Sequence, residues 1–241
     1  MRRNKENPLQ LSMAQSFDER CGAFALINRC YSNAGLSEDT GQHYRVTKYQ
    51  LLLESRVFIS KLANEVVATV SLIPDTAEHG LPMDMIYGAE LDVLRAKGKR
   101  IAEVGCLADR RRDPRRFIDN FCNLTRLMAQ YSVQQSIDGF VIMVHPRHAK
   151  FYKTLNFKEV GGLTNYPVVG NLPAVALFLE FEVARIEKPR RYSLFFDDKV
   201  EPECISNGQM PHEEVNYFQE YVIDAEPQLF SAEPDFASEA G

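Results

Sequence analysis

The stretch from Arg100 to Val144 constrains this chain most. Arg100 to Ala108 reads as a strand, and Asp113-Pro114 then offers a cap followed by a proline at the first helical position, where its missing N–H costs nothing. Phe117, Phe121, Leu124, Met128 and Tyr131 recur at the spacing of one face of a long helix. Gly139-Phe140-Val141-Ile142-Met143-Val144 follows and is apolar throughout, so both of its faces must be covered, as in a central buried strand. Strands of that kind, interleaved with helices, predict a mixed α/β sheet with helices on its faces.

The flanking sequence extends the pattern. Ser16 and Glu19 form a capping-box pair, and Phe17, Cys21, Phe24, Ile27 and Tyr31 line one face of the helix they open. Residues 56–62 and 65–73 alternate about Ala63-Asn64, which predicts a hairpin. Tyr87, Leu91 and Leu94 mark a helix stopped by Gly98, which suits a left-handed C-terminal position. After the central strand, a short helix through Phe151, Tyr152 and Leu155 ends at Asn156, and residues 174–183 read as a long final strand.

Charge divides the chain. The net charge of −5 averages a segment 186–241, with 4 basic and 13 acidic residues, and a segment 1–185, with 24 and 20. The step coincides with Pro189, Pro202, Pro211, Pro227 and Pro234. Three parts are therefore expected: a flexible N-terminus 1–15, one domain 16–185, and an acidic tail 186–241. The tail would dock in part through a helix bearing Val215, Phe218 and Val222, with its last dozen residues disordered. The acidic balance argues against a general nucleic-acid binder. No run of about 18 apolar residues suggests a transmembrane segment, no apolar signal-peptide core follows Met1, and a cytoplasmic location is expected. Five cysteines with no Cys-x-x-Cys signal neither a disulfide framework nor a metal centre. Loop signatures of nucleotide hydrolases, dinucleotide enzymes and zinc proteases are absent from the sequence.

Three features carry chemistry. Asp109-Arg110-Arg111-Arg112-Asp113-Pro114-Arg115-Arg116 places five arginines between a strand end and a helix start, where backbone N–H groups and guanidinium groups together favour an anion; a solvated charged loop is the alternative. Glu103, in the alternation Ile101, Glu103, Gly105, Leu107, falls on an otherwise apolar or small face. Desolvation there would raise its pKa and suit a general base, unless it is an edge glutamate paired with an arginine. Tyr152 is either a core residue with its hydroxyl at the rim or a proton donor. His145 and His148, three apart, lack a third metal ligand.

From strand to arginine turn, helix, apolar strand and the run His145-Pro146-Arg147-His148-Ala149-Lys150-Phe151-Tyr152-Lys153-Thr154-Leu155-Asn156-Phe157, the layout resembles the GCN5-related N-acetyltransferase (GNAT) fold. Gly80-Leu81-Pro82-Met83-Asp84-Met85-Ile86-Tyr87, then Glu90-Leu91-Asp92, Leu94-Arg95, Gly98 and Ala102-Glu103-Val104, resembles more narrowly the long-chain N-acyl amino acid synthases, the N-acyltyrosine synthase group related to acyl-homoserine-lactone synthases. The resemblance spans about residues 16–182. It implies a mostly antiparallel mixed sheet and transfer of a long-chain fatty acyl group to the amine of tyrosine or another apolar or aromatic amino acid. In those terms Glu103 is the base and Tyr152 protonates the departing thiolate. Arg147 or His148 holds the acceptor carboxylate.

The acetyltransferase loop that wraps a coenzyme A pyrophosphate is glycine-rich, whereas 109–116 contains no glycine. Arg110, Arg111, Arg112, Arg115 and Arg116 suit instead the single phosphate of 4′-phosphopantetheine on an acyl carrier protein, with no tightly bound cofactor. Rival readings are an acyl-CoA-dependent acetyltransferase, an S-adenosylmethionine-using autoinducer synthase, and a catalytically silent GNAT-like binding module.

Overall fold

In a computed structural model, residues 9–36, 41–110, 114–166 and 172–223 are described, apart from the side chains of 114–117 and 166. The elements run β1 (Leu9–Met13), α1 (Phe17–Asn33), a 3-10 turn (Lys48–Leu51), β2 (Arg56–Leu62), β3 (Glu65–Pro74), α2 (Asp84–Ala96), β4 (Ile101–Asp109), α3 (Pro114–Gln134), β5 (Gly139–Val144), α4 (Pro146–Thr154), β6 (Lys158–Tyr166) and β7 (Leu172–Glu180). There follow α5 (Phe181–Glu187), α6 (Tyr192–Phe196), a second 3-10 turn (Pro202–Ile205) and α7 (His212–Gln219).

Local chemistry sets the element ends. Ser16 Oγ accepts the Glu19 N–H at 3.3 Å while Glu19 Oε2 accepts the Ser16 N–H at 3.2 Å, closing the capping box of α1. Gly98 ends α2 at φ +72°, and Asn156 turns the chain out of α4 at φ +75°. The hairpin forms as the alternation requires, with Leu62 facing Glu65 and Ala63 at φ +57°.

The seven strands lie in the order β1-β2-β3-β4-β5-β7-β6, and every neighbouring pair is antiparallel except β4 and β5. This is the mixed, mostly antiparallel sheet the sequence implies. Side chains of α1, α2 and α7 pack on one face, and those of α3, α4, α5 and α6 on the other. Burying a large apolar side chain contributes about 1.5–3 kcal/mol, so α3 alone, through Phe121, Leu124, Leu127 and Met128, anchors the second face strongly.

Three expectations are corrected. The N-terminus is not flexible throughout: Leu9, Leu11 and Met13 alternate, and β1 pairs with β2 over five residues as an edge strand. The last long strand stops at Glu180, where Phe181 starts α5, so a boundary at 185 would cut a helix. The alternation about Glu103 also breaks. Thr69 faces Ala108 but Ser71 faces Gly105, leaving Cys106 and Leu107 opposite Val70, with Cys106 at φ +53°. This bulge sends Leu107 into the cluster that holds Ala102 and Val104, on the face opposite Ile101. The expected docked helix of the tail is α7, with Phe218 fully buried; the last dozen residues lie outside the described residues.

Candidate active site

The parallel pair is the feature on which the site is built. β4 and β5 pair only from Ile101–Glu103 against Gly139–Val141. Beyond this, β4 continues against β3 as far as Asp109, and β5 against β7 as far as Val144. The two half-sheets therefore part at Glu103 and open toward the C-terminal ends of both strands. From those ends start α3, led by Pro114, and α4, led by Pro146, so two helix N-termini flank the opening. Such ends favour anions, and crevices outside the carboxyl ends of parallel strands are recurrent ligand sites.

Glu103 stands where the strands diverge. Its side chain is 1% exposed, and its Oε2 accepts the Met83 N–H at 2.8 Å. Burial pushes its pKa up to about 8, the Met83 hydrogen bond opposing and the negative charge of Asp84 adding. It is thus neither at an edge nor paired with an arginine, and it is poised to exchange protons near neutrality.

What holds Met83 is a cluster that residue spacing alone did not single out. Arg95 forks onto Asp84 with both Nη atoms at 2.7 Å, and onto Asp75 through Nε at 2.7 Å and Nη2 at 2.9 Å. Asp84 Oδ2 in turn accepts the Leu81 N–H at 2.6 Å, closing the turn that follows Gly80 at φ +62°. Bidentate pairing of this kind fixes orientation as well as charge. The start of α2 is thereby tied to the end of β3, and the Met83 amide is aimed at Glu103. No spacing rule joins Asp84 and Arg95, which stand near opposite ends of α2, a helix kinked at Tyr87. Below them, the Tyr87 hydroxyl donates to the Ala174 carbonyl at 2.8 Å, and a Cβ on Gly161 would stand 2.5 Å from the Tyr87 ring.

The wall opposite Met83 comes from the 3-10 turn. Tyr49 packs against the cluster containing Ile73 and Met83, and burial together with the charge of Glu103 raises its hydroxyl pKa. Gln50 Nε2 donates to Ser71 Oγ at 2.9 Å, and Ser71 also hydrogen-bonds the Cys106 thiol.

Tyr152 lies on the other face. It is 0% exposed, and its ring meets Phe121, Phe151 and Phe157 edge-on at 5.7, 5.2 and 5.7 Å. Glu103 and Tyr152 therefore occupy opposite sides of the sheet. At the open end, His145 caps α4, its Nδ1 accepting the Arg147 N–H at 3.2 Å. Arg147 is exposed and donates from Nε to His148 Nε2 at 2.9 Å, His148 being buried beneath it. Asp109 is fixed to α3 by Asn120 Nδ2 at 2.8 Å, and Asn120 Oδ1 accepts from Ser60 at 3.2 Å, so the arginine-rich segment follows a pinned strand end. Arg110 pairs with Glu65. The side chains of Arg111, Arg112, Arg115 and Arg116 lie outside the described residues. Among the described residues no cluster of three metal-ligating side chains occurs, and no helix is long and apolar enough to cross a membrane.

A split parallel pair thus carries a buried carboxylate at its apex, inside a sheet otherwise antiparallel. The comparisons with known proteins give the family. The model of the N-acyl amino acid synthase FeeM family matches residues 22–180, and the chain belongs to that family. Among solved structures, FeeM, an N-acyl amino acid synthase from uncultured soil microbes, is 25% identical, with a TM-score of 0.63 over 77% of this chain and 97% of that one. The acyl-homoserine-lactone synthase LasI shares the fold at 16% identity and a TM-score of 0.53, over 72% of this chain and 89% of its own. BjaI, a CoA-dependent acyl-homoserine lactone synthase, does so at 14% and 0.57, over 88% and 99%. No curated protein matches the chain. The protein is an N-acyltransferase.

Proposed function

We propose that this enzyme transfers a long-chain fatty acyl group from the phosphopantetheine thioester of an acyl carrier protein to the amino group of tyrosine or another apolar or aromatic amino acid. The observation that carries the reading is Glu103, a buried carboxylate with a pKa near 8 at the point where β4 and β5 separate. A thioester arm laid in the gap brings its carbonyl beside that point, and the acceptor approaches from the side of Met83 and Tyr49.

Glu103 takes one proton from the acceptor ammonium. The freed nitrogen attacks the thioester carbon, backbone N–H groups along β4 steady the oxyanion, the nitrogen sheds its second proton to solvent, and the C–S bond breaks. Tyr152 protonates the departing thiolate. With a thiol pKa of about 8.5 that leaving group needs little help, so the base carries more of the catalysis than the acid.

Supporting a carrier protein over coenzyme A as donor is the glycine-free arginine turn, which reaches a single phosphate and a carrier surface with side chains. Arg147, at the same open end and hydrogen-bonded to His148, is placed to hold the acceptor carboxylate.

The test is mass spectrometry of lipid extracts from cells expressing the wild type or Glu103→Gln, followed by assays of the purified enzyme with palmitoyl-carrier and palmitoyl-CoA donors. Long-chain N-acyl amino acids only with the wild type, and turnover only with the carrier thioester, are the expected results. Identical extracts would overturn the reading, and equal turnover with both donors would overturn the carrier.

A further inference from the structure

The family match ends at residue 180, yet the chain stays on the molecule as far as residue 223. After α5 it crosses α3, where Phe195 is buried and Gln130 donates to the Asp198 carbonyl at 2.7 Å and accepts the Val200 N–H at 2.9 Å. It then rounds the β1 edge, held by Gln15, whose amide donates to the carbonyls of Glu203 and Ser206 at 2.8 and 3.0 Å. On the far face Arg20, 1% exposed, bonds Glu214 at 2.7 Å and the Gln209 carbonyl at 3.0 Å. Phe218 is fully buried, its ring 4.8 Å from Phe24 and 5.6 Å from Tyr44. This strap ends on the segment that walls the site: Val222 bridges Val46 in parallel, and the Ile223 N–H donates to the Val46 carbonyl at 2.9 Å.

Val46 leads directly into that wall. The Thr47 N–H donates to Gln50 Oε1 at 2.9 Å, Gln50 reaches Ser71 on β3, and Tyr49 packs beside Ile73 and Met83. Residues 41–47 contain no strand or helix of their own, and such segments open locally at low cost unless tertiary contacts tie them down. α1 ties one side, through the Arg45 N–H to the Phe24 carbonyl at 3.3 Å and Asn28 to the Gln42 carbonyl at 2.7 Å, and the strap ties the other, since Tyr44 is also covered edge-on by Tyr217 and Tyr221.

We propose that the strap positions the acceptor side of the active site: α7 and Val222–Ile223 hold residues 44–51 against β3, so that Tyr49 and Gln50 stand ready in front of Glu103. The inference rests on the reading of Glu103 as the base that faces the amine. Ordering this wall in advance spares the acceptor that entropic cost on binding, so its loss falls on acceptor affinity rather than on the chemical step. Phe218, Val222 and Ile223 are positioning residues in this scheme and touch no substrate.

Two full-length variants test it: Ile223→Pro, which deletes the N–H to Val46, and Phe218→Leu, which loosens the ring cluster. Phe195→Leu serves as control, because it weakens the strap on α3 without touching 44–51. Amide hydrogen exchange is expected to speed up roughly tenfold across 45–51 in the first two variants only. The KM for the amino acid acceptor should rise by a similar factor while kcat and the donor KM stay within about twofold. Exchange at 45–51 unchanged in both variants, or equally accelerated by Phe195→Leu, would overturn the link. Faster exchange in an enzyme whose wild type acylates no amine would instead overturn the reading of Glu103 and the acceptor role, leaving only the mechanical contact.

Discussion

The two sides of the β4–β5 gap are built from opposite materials. On the α1–α2 side, Glu103 accepts the Met83 N–H, with Tyr49 and the hydrogen-bonded Gln50–Ser71–Cys106 chain beside it. On the α3–α4 side, Tyr152 is wedged among Phe121, Phe151 and Phe157. A group that must change charge needs an environment that sets its pKa, whereas a hydroxyl that lends one proton needs only to be held still. The contrast predicts unequal consequences for damage on each side.

The largest effect is expected at the carboxylate. Glu103→Gln keeps the shape and the Met83 hydrogen bond but cannot take a proton, so steady-state assays should show kcat/KM falling by about 10²–10⁴. The same substitution has a second signature. A carboxyl raised to about 8 in the fold, against about 4.5 unfolded, costs stability as pH rises from the lower value, and the cost is complete above the higher one. Glu103→Gln should therefore be more stable than the wild type at pH 9 by about 5 kcal/mol, each pK unit being worth about 1.4. The gain should vanish near pH 4. Denaturant melts at both values decide it; equal stabilities at pH 9 would mean that Glu103 is not held protonated by burial.

On the aromatic side, Tyr152→Phe removes one hydroxyl from a packed ring and leaves the cluster intact. A loss of about tenfold in kcat is expected, shrinking with thioesters of more acidic thiols, because a better leaving group needs less protonation. A loss equal to that of Glu103→Gln would erase the proposed asymmetry. Reversing Arg115 and Arg116 to glutamate should raise the KM for acyl carrier protein several-fold, less so in high salt, and leave kcat alone. An unchanged KM would remove the turn from the donor site.

Much of this architecture was legible in the sequence, for physical reasons that also mark where legibility ended. The hairpin, α1, α2, α3 and β5 follow from periodicity and end signals within a dozen residues, and Glu103 stood out because a charge sat in an apolar alternation. The bulge at Cys106 did not, since a non-glycine residue at φ +53° leaves no mark in the pattern of apolar side chains. β6 was not singled out because two register shifts about Gly161 break its alternation. The path of the strap was hidden for a third reason. Its anchors, such as Arg20 to Glu214 and Gln15 to Ser206, join residues nearly two hundred positions apart, and no local rule pairs them.

The smallest predicted effect is the most specific to the polar side. Asp84 pushes the pKa of Glu103 up by like charge, and Arg95 is forked onto Asp84. With Glu103 as the proposed base the carboxylate is the active form, so kcat/KM should climb with pH through about 8 in the wild type. Asp84→Asn keeps an acceptor for the Leu81 N–H but removes the charge; the climb should shift to lower pH, raising activity a few-fold at pH 7. Arg95→Met removes the cation paired with Asp84 and should shift the climb the other way. Opposite displacements of the two profiles would tie the Asp75–Asp84–Arg95 cluster to the tuning of the base. Parallel losses without displacement would reduce that cluster to scaffolding for the start of α2, with burial and the Met83 hydrogen bond left to set the proton affinity of Glu103.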